Sequence, residues 1–233
     1  VLSSQCALDL CFAKDLSALL LAPADGAFAY DALCDVLTGA ACPSGKLAYT
    51  CYEDADALFE RMKAGKDAGK YKMGCFVGYR NYDSFQLPVT YPFGFGLSYT
   101  KFSYSELEIA GGKIRFKLKN TGKVRGCETV QIYAGAKNSA LARPVKELRA
   151  YVRADLAPGE EKTLEVPFEN AWFSVTSGGK KVTEAGEYTL YVCSDVSTVR
   201  LQGDVRIVGT RVTGDDLFQY LLSDSNILSG GYT

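Results

Sequence analysis

Histidine is absent from all 233 residues. Its absence removes the commonest general base and the commonest zinc ligand together. Neither a Ser-His-Asp nor a Cys-His mechanism can be assembled from this chain alone. Net charge is nearly absent as well: 26 Lys and Arg face 27 Asp and Glu, leaving −1. That balance gives no electrostatic case for nucleic acid or anionic lipid as a partner. Long hydrophobic runs are also lacking. The longest mostly apolar run, Leu16 to Pro23, is far too short to cross a bilayer. No charged segment leads into an apolar one at the start, so no signal peptide is visible. The chain opens on Val1 rather than Met, and a fragment or processed piece is expected.

Among the eight cysteines (6, 11, 34, 42, 51, 75, 127 and 193) no two stand as C-x-x-C. A zinc site or a dithiol redox motif is therefore not expected, and no metal or other cofactor is implied. Six lie in the first third, mostly in apolar stretches. They read as reduced, buried thiols acting as small hydrophobes, which favours the cytoplasm over secretion. A disulfide framework is the alternative, although a chain this long needs no staples.

Hydrophobic content of 47 % and charged content of 23 % suit a globular protein. Two halves follow different patterns. In residues 1–100, Leu16–Leu21 reads as a buried strand and Ala27–Leu37 as a helix stopped by Gly39. Lys46–Cys51 reads as a second strand, and Glu53–Ala64 as a helix ended by Gly65. Strand, helix, strand, helix is an α/β pattern, but two units make too small a parallel sheet, so this half reads as the end of a larger α/β domain. Residues 101–209 alternate with period two. Seven short strands are expected, over 102–109, 113–119, 128–133, 148–152, 162–168, 188–192 and 199–207. Asn120-Thr-Gly, Pro158-Gly159, Ser177-Gly-Gly and Ala185-Gly186 supply turns between them. The pattern predicts an immunoglobulin-like antiparallel β-sandwich. Residues 210–233 read as a linker or tail.

Phe76–Phe102, FVGYRNYDSFQLPVTYPFGFGLSYTKF, resembles the end of the second domain of glycoside hydrolase family 3, the β-glucosidase family. Asp35-Val-Leu-Thr-Gly and Pro43-Ser-Gly-Lys-Leu are similar to motifs upstream of it. Arg143-Pro-Val-Lys-Glu-Leu, Leu156-Ala-Pro-Gly-Glu, Glu128-Thr-Val-Gln-Ile-Tyr and Glu184-Ala-Gly-Glu-Tyr-Thr-Leu-Tyr-Val resemble that family's fibronectin type III-like domain. Two places differ: Ala24-Asp25-Gly26-Ala27-Phe28 stands where the family usually has G-Q-E-G-G, and Cys42 precedes Pro43 in place of Asn. The resemblance implies a parent enzyme that hydrolyses terminal β-linked sugars with retention. Its partners would be the rest of that enzyme, a barrel domain and the start of the α/β domain. A stand-alone carbohydrate-binding or protein-interaction module is the alternative.

Retaining β-glycosidases need two carboxylates about 5–5.5 Å apart. The resemblance places both outside the matched region, and neither motif occurs here, so no residue of this chain is expected to be catalytic. Sugar contact is considered at Tyr79, Arg80 and Asp83 in GYRNYD, against a salt bridge within the loop between Arg80 and Asp83. It is considered also at Asp25, against a helix N-cap. Tyr91, Phe93, Phe95 and Tyr99 in YPFGFGLSY read as packing between the halves, with sugar stacking as the rival. Trp172 reads as buried in the sandwich rather than as a sugar platform.

Overall fold

The computed structural model of the chain describes residues 1–4, 8–22, 26, 28–53, 74–177 and 179–212. Its larger part is a two-layer β-sandwich. One sheet holds β3 (Phe102–Ala110), β4 (Lys113–Asn120) and β7 (Glu161–Pro167) in the order β3-β4-β7. The other holds β5 (Gly126–Ala136), β6 (Glu147–Leu156), β10 (Gly186–Cys193) and β11 (Val199–Ile207) in the order β11-β10-β5-β6. Every pairing is antiparallel. The period-two pattern decides which side chains enter the core. Ile114, Phe116 and Leu118 of β4 meet Val130, Ile132 and Ala134 of β5 and Tyr188, Leu190 and Val192 of β10, all buried.

All seven expected strands are present. A further hairpin, β8 (Ser174–Ser177) with β9 (Lys180–Thr183), precedes β10. Trp172 is not on a strand: Asn170–Phe173 form a 3-10 turn, and its indole packs partly buried against the core, 6.1 Å from the Phe168 ring. Asn120, at the end of β4, ties three segments. Its Nδ2 donates to the Val124 and Leu156 carbonyls at 2.8 and 3.0 Å, and its Oδ1 accepts from Thr100 Oγ1 at 2.6 Å.

The first hundred residues are sparser. α1 (Ala29–Thr38) is present and ends at Gly39, whose φ of +80° suits the left-handed cap. The expected strand Leu16–Leu21 shrinks to one parallel bridge, Leu2 to Leu21. A parallel strand needs neighbours, and Leu2 is the only one the described residues offer it. The expected strand Lys46–Cys51 is paired only as β1 (Cys51–Tyr52), antiparallel to β2 (Val89–Tyr91). Between β1 and β2 lies the short helix α2 (Tyr79–Ser84). Among the described residues here, Leu10, Ala13 and Cys51 form a buried cluster. The helix expected over Glu53–Ala64 lies almost wholly outside the described residues, as does Asp25. Thr210 pairs with Glu184 and Val212 is buried, so contact with the sandwich continues past residue 209. No described helix is long and apolar enough to cross a membrane.

The seven described cysteines are free thiols, of which Cys51 and Cys193 are buried. Cys11 and Cys34 are exposed, which corrects the expectation of uniformly buried thiols.

Candidate functional site

The residues singled out in GYRNYD meet the sandwich edge in register. α2 lies along the start of β6 and the loop before it. The Val145 amide donates to Ser84 Oγ at 3.1 Å, and Lys146 Nζ lies 3.0 Å from Asp83 Oδ1. Arg80 Nη2 lies 3.5 Å from Glu147 Oε1, and the Leu148 amide donates to Tyr79 Oη at 2.8 Å. Four consecutive sandwich residues are thus read in turn by one short helix. The helix needs no buried apolar stripe of its own for this. Tyr79 supplies the apolar part, stacked on Phe93 at 4.7 Å and edge-on to Tyr133 at 6.0 Å.

This arrangement replaces the salt bridge expected between Arg80 and Asp83. Both side chains point across the boundary, to Glu147 and Lys146. The Lys146–Asp83 pair is largely buried, with side-chain exposures of 11 % and 14 %, so it is weakly screened by solvent. Glu147 also takes Arg149 Nη2 at 2.6 Å and Arg143 Nη2 at 3.5 Å, while Arg143 Nη1 reaches Glu184 at 2.8 Å. Burial lowers the Arg149 guanidinium pKa, and Glu147 opposes that shift.

A second set of contacts holds the turn at Pro92–Gly96. Gln131, buried on β5, donates from Nε2 to the Gly94 and Ser194 carbonyls, each at 3.0 Å. Its Oε1 accepts from Tyr133 Oη at 2.6 Å. The Val196 amide donates to the Phe93 carbonyl at 3.0 Å. Lys46 Nζ sits 2.9 Å from Glu128 and donates to the Gly96 carbonyl at 3.2 Å. Gly94 has φ +81°, and a Cβ there would collide with the Gln131 amide. A Cβ at Gly96 would collide with the Gly45 carbonyl. Glycine is required at both.

The aromatics of this turn divide their work. Phe93 joins Tyr79, Leu148 and Tyr191 around buried Tyr133, Cys193 and Val196. Tyr91 and Phe95 stack on each other at 5.0 Å, and Tyr91 packs on the small Leu10 cluster. Tyr99 is 54 % exposed, which corrects its expected place between the halves, and its hydroxyl donates to the Val36 carbonyl at 2.8 Å.

Between α2, β2 and the loop after β10 lies a hollow of about 220 Å³, lined by Thr50, Tyr79, Tyr82, Asp83, Gln86 and Val196 among others. Thr50 Oγ1 and Asp83 Oδ2 are buried beside it with no hydrogen-bond partner. Asp25 lies outside the described residues and cannot be placed in it. Among the described residues no cluster of three or more potential ligands could hold a metal ion. Among the described residues the buried acids are committed: Glu128 to Lys46, Glu184 to Arg143, and Asp195 to the Ser197 and Thr198 amides, while the half-buried Glu147 pairs with Arg149.

Sequence reasoning missed Ser84, Lys146, Glu147 and Gln131. The signal for Gln131 was present: a lone amide in the alternating Glu128–Tyr133 strand, on the side opposite Val130 and Ile132. The charges of Lys146 and Glu147 mirror those of Asp83 and Arg80, but their pairing depends on how the sheet edge meets α2.

Residues 1–99 match the glycosyl hydrolase family 3 C-terminal domain, and residues 128–196 match the fibronectin type III-like domain. Probable β-glucosidase K of Emericella nidulans is 35 % identical over 184 residues, covering 76 % of this chain and 22 % of the relative. Thermostable β-glucosidase B of Acetivibrio thermocellus is 34 % identical over 212 residues, covering 84 % and 28 %. The crystal structure of the β-glucosidase from Kluyveromyces marxianus superposes with a TM-score of 0.81 at 33 % identity, covering 88 % of this chain and 26 % of that one. The chain therefore spans about a quarter of the length of the relatives it matches. Two adjoining domain matches in one order, and an α/β piece bound to a fibronectin-like sandwich, lead to one assignment: the chain belongs to glycoside hydrolase family 3 and corresponds to the C-terminal part of that family's β-glucosidases.

Proposed function

We propose that this chain is the structural C-terminal portion of a β-glycosidase that hydrolyses terminal β-linked sugars with retention. The carboxylates that cleave the bond lie elsewhere in the whole protein. This chain contributes a fixed joint between the α/β layer and the sandwich. The observation that carries this reading is the run of four contacts from Tyr79–Ser84 to Val145–Leu148. A loop built to hold sugar would keep its charged groups free for hydroxyls; here Arg80 and Asp83 are taken up by the sandwich. The test is hydrolysis of an aryl β-glucoside. The chain alone gives no turnover above buffer. Turnover that is abolished by replacing an Asp or Glu within residues 1–233 would overturn the reading. The free thiols fit the cytoplasm as the working compartment; two or more disulfides in protein isolated with thiols blocked would overturn that placement.

A second reading keeps a sugar contact in the hollow beside Tyr79 and Asp83. The buried, unpartnered Asp83 Oδ2 and Thr50 Oγ1 favour it. On that reading, glucose shifts the resonances of Tyr79, Tyr82 and Asp83 in a titration, and their immobility defeats it. The independent-module alternative fares less well. A sugar-binding face presents a row of aromatics, and on the described sandwich strands Tyr151 is the single exposed aromatic.

A further inference from the structure

The hollow beside Tyr79 brings together two polar atoms that no protein group satisfies. Asp83 Oδ1 takes Lys146 Nζ at 3.0 Å, but Asp83 Oδ2 is buried without a hydrogen-bond partner. Thr50 Oγ1 is equally unpaired, on a residue only 8 % exposed. The two come from separate segments: Thr50 stands just before β1, and Asp83 lies in α2. Both line the one hollow of about 220 Å³, as do Val196 and Ser197 from the sandwich loop after β10. Backbone strain holds one wall. Gln86 takes a left-handed φ of +51°, and the next amide, that of Leu87, donates to the Tyr82 carbonyl at 2.9 Å. A residue with a side chain adopts that conformation only when its surroundings impose it.

Buried oxygens left unpaired are costly, and their chemistry selects what enters the hollow. A cation is a poor occupant. Lys146 already neutralises Asp83, and among the described residues no cluster of three potential ligands gathers. A sugar is also a poor occupant. The hollow is smaller than the roughly 300–1,000 Å³ of ordinary ligand pockets. Sugar hydroxyls beyond the first two would meet Leu87, Val89, Pro92 and Val196. Water answers both atoms. It donates to Asp83 Oδ2, while Thr50 Oγ1 can donate to it or accept from it, and the volume exceeds what one water needs. We propose that the hollow is a structural water site, in which one water or a short chain of them bridges Thr50 Oγ1 to Asp83 Oδ2. The bridge ties the segment entering β1 to α2. It also solvates the carboxylate oxygen that Lys146 leaves free, so that Asp83 keeps its charge beneath the sandwich loop.

Thr50→Val tests this, because it keeps the side chain's shape and removes only the hydroxyl. If Thr50 Oγ1 binds water, the variant loses a hydrogen bond and the Tm falls by about 2–4 °C. If the hydroxyl is merely stranded, its removal leaves the Tm unchanged or raises it. Oxygen-17 relaxation dispersion of the solvent supplies a readout independent of stability, since it counts waters held by the protein. The wild-type chain holds at least one more such water than Thr50→Val, and Thr50→Ser, which keeps the hydroxyl, retains it. Equal dispersion in the wild type and Thr50→Val overturns the proposal, whichever way the Tm moves. A third arm adds glucose to the wild type. The excess water persists at saturating glucose; its saturable loss assigns the hollow to a sugar, overturns the water site and upholds the second functional reading.

Discussion

Gly94 and Gln131 form one joint at the scale of single residues. Alanine at Gly94 carries left-handed strain of about 1–2 kcal/mol and a collision with the Gln131 amide. Gln131→Ala strands the Gly94 and Ser194 carbonyls, at a cost of about 1–3 kcal/mol. The two losses are therefore not additive: with Gln131 truncated, Gly94→Ala adds only the strain. Urea denaturation of the four proteins measures this, and additive losses would show that the residues do not share a joint. Alkaline stability is a second residue-scale outcome. Burial pushes the Cys193 thiol up to about 12 from its ordinary 9.0. The unfolded chain ionises first, so the folded state holds more protons inside that window. Stability is whole below about pH 9 and falls as pH rises, by about 1.4 kcal/mol per unit for one such group. Burial raises the Tyr133 and Tyr104 hydroxyls in the same sense. In Cys193→Val the decline between pH 9 and 11 is shallower; an unchanged slope would show that the thiol takes no part.

At the scale of elements, α2 is held by polar register and Phe93 by packing. Lys146→Met leaves Asp83 buried without its cation, at about 3–5 kcal/mol for a buried pair broken on one side. Adding Asp83→Leu recovers much of that loss. If the double variant is as unstable as Lys146→Met alone, the pair is not what the segment depends on. Phe93→Ala costs about 3–5 kcal/mol if its site cannot collapse, and it opens residues 97–102 to limited proteolysis. Phe95→Ala, whose ring stacks on Tyr91 on the α/β side, leaves that segment closed. Equal cutting in both would contradict the division of labour. The elements differ in how far they could be read in advance. The seven long sandwich strands show in the sequence because one face of each is buried, which enforces alternation, as in Ile114, Phe116 and Leu118. β8 and β9 are only four residues each and bury little, so no pattern marks them. Leu16–Leu21 has the composition of a strand, but among the described residues it pairs only through the Leu2–Leu21 bridge. Arg80 and Asp83 stand three apart, the spacing of a local pair on a helix. Their true partners lie more than sixty residues away on the edge of a sheet, which no local pattern encodes.

At the scale of the whole molecule, the described residues of the sandwich share one large buried core, and those of the α/β part a small one. Among the described residues, the sandwich cluster holds fourteen buried residues and the α/β cluster three. The described α/β residues meet the sandwich through α2, the Pro92–Gly96 turn and the Lys46–Glu128 pair. Motif order along the chain made the family legible, whereas the joint between the halves emerged only in three dimensions. That joint is the central claim. Its most direct test is native-state amide hydrogen exchange in the Tyr79→Phe/Ser84→Ala variant, which removes the acceptors of two sandwich amides. The account predicts at least tenfold faster exchange at Val145 and Leu148, with the Leu190 and Val192 amides of β10 unchanged. Unchanged rates at Val145 and Leu148 would contradict it.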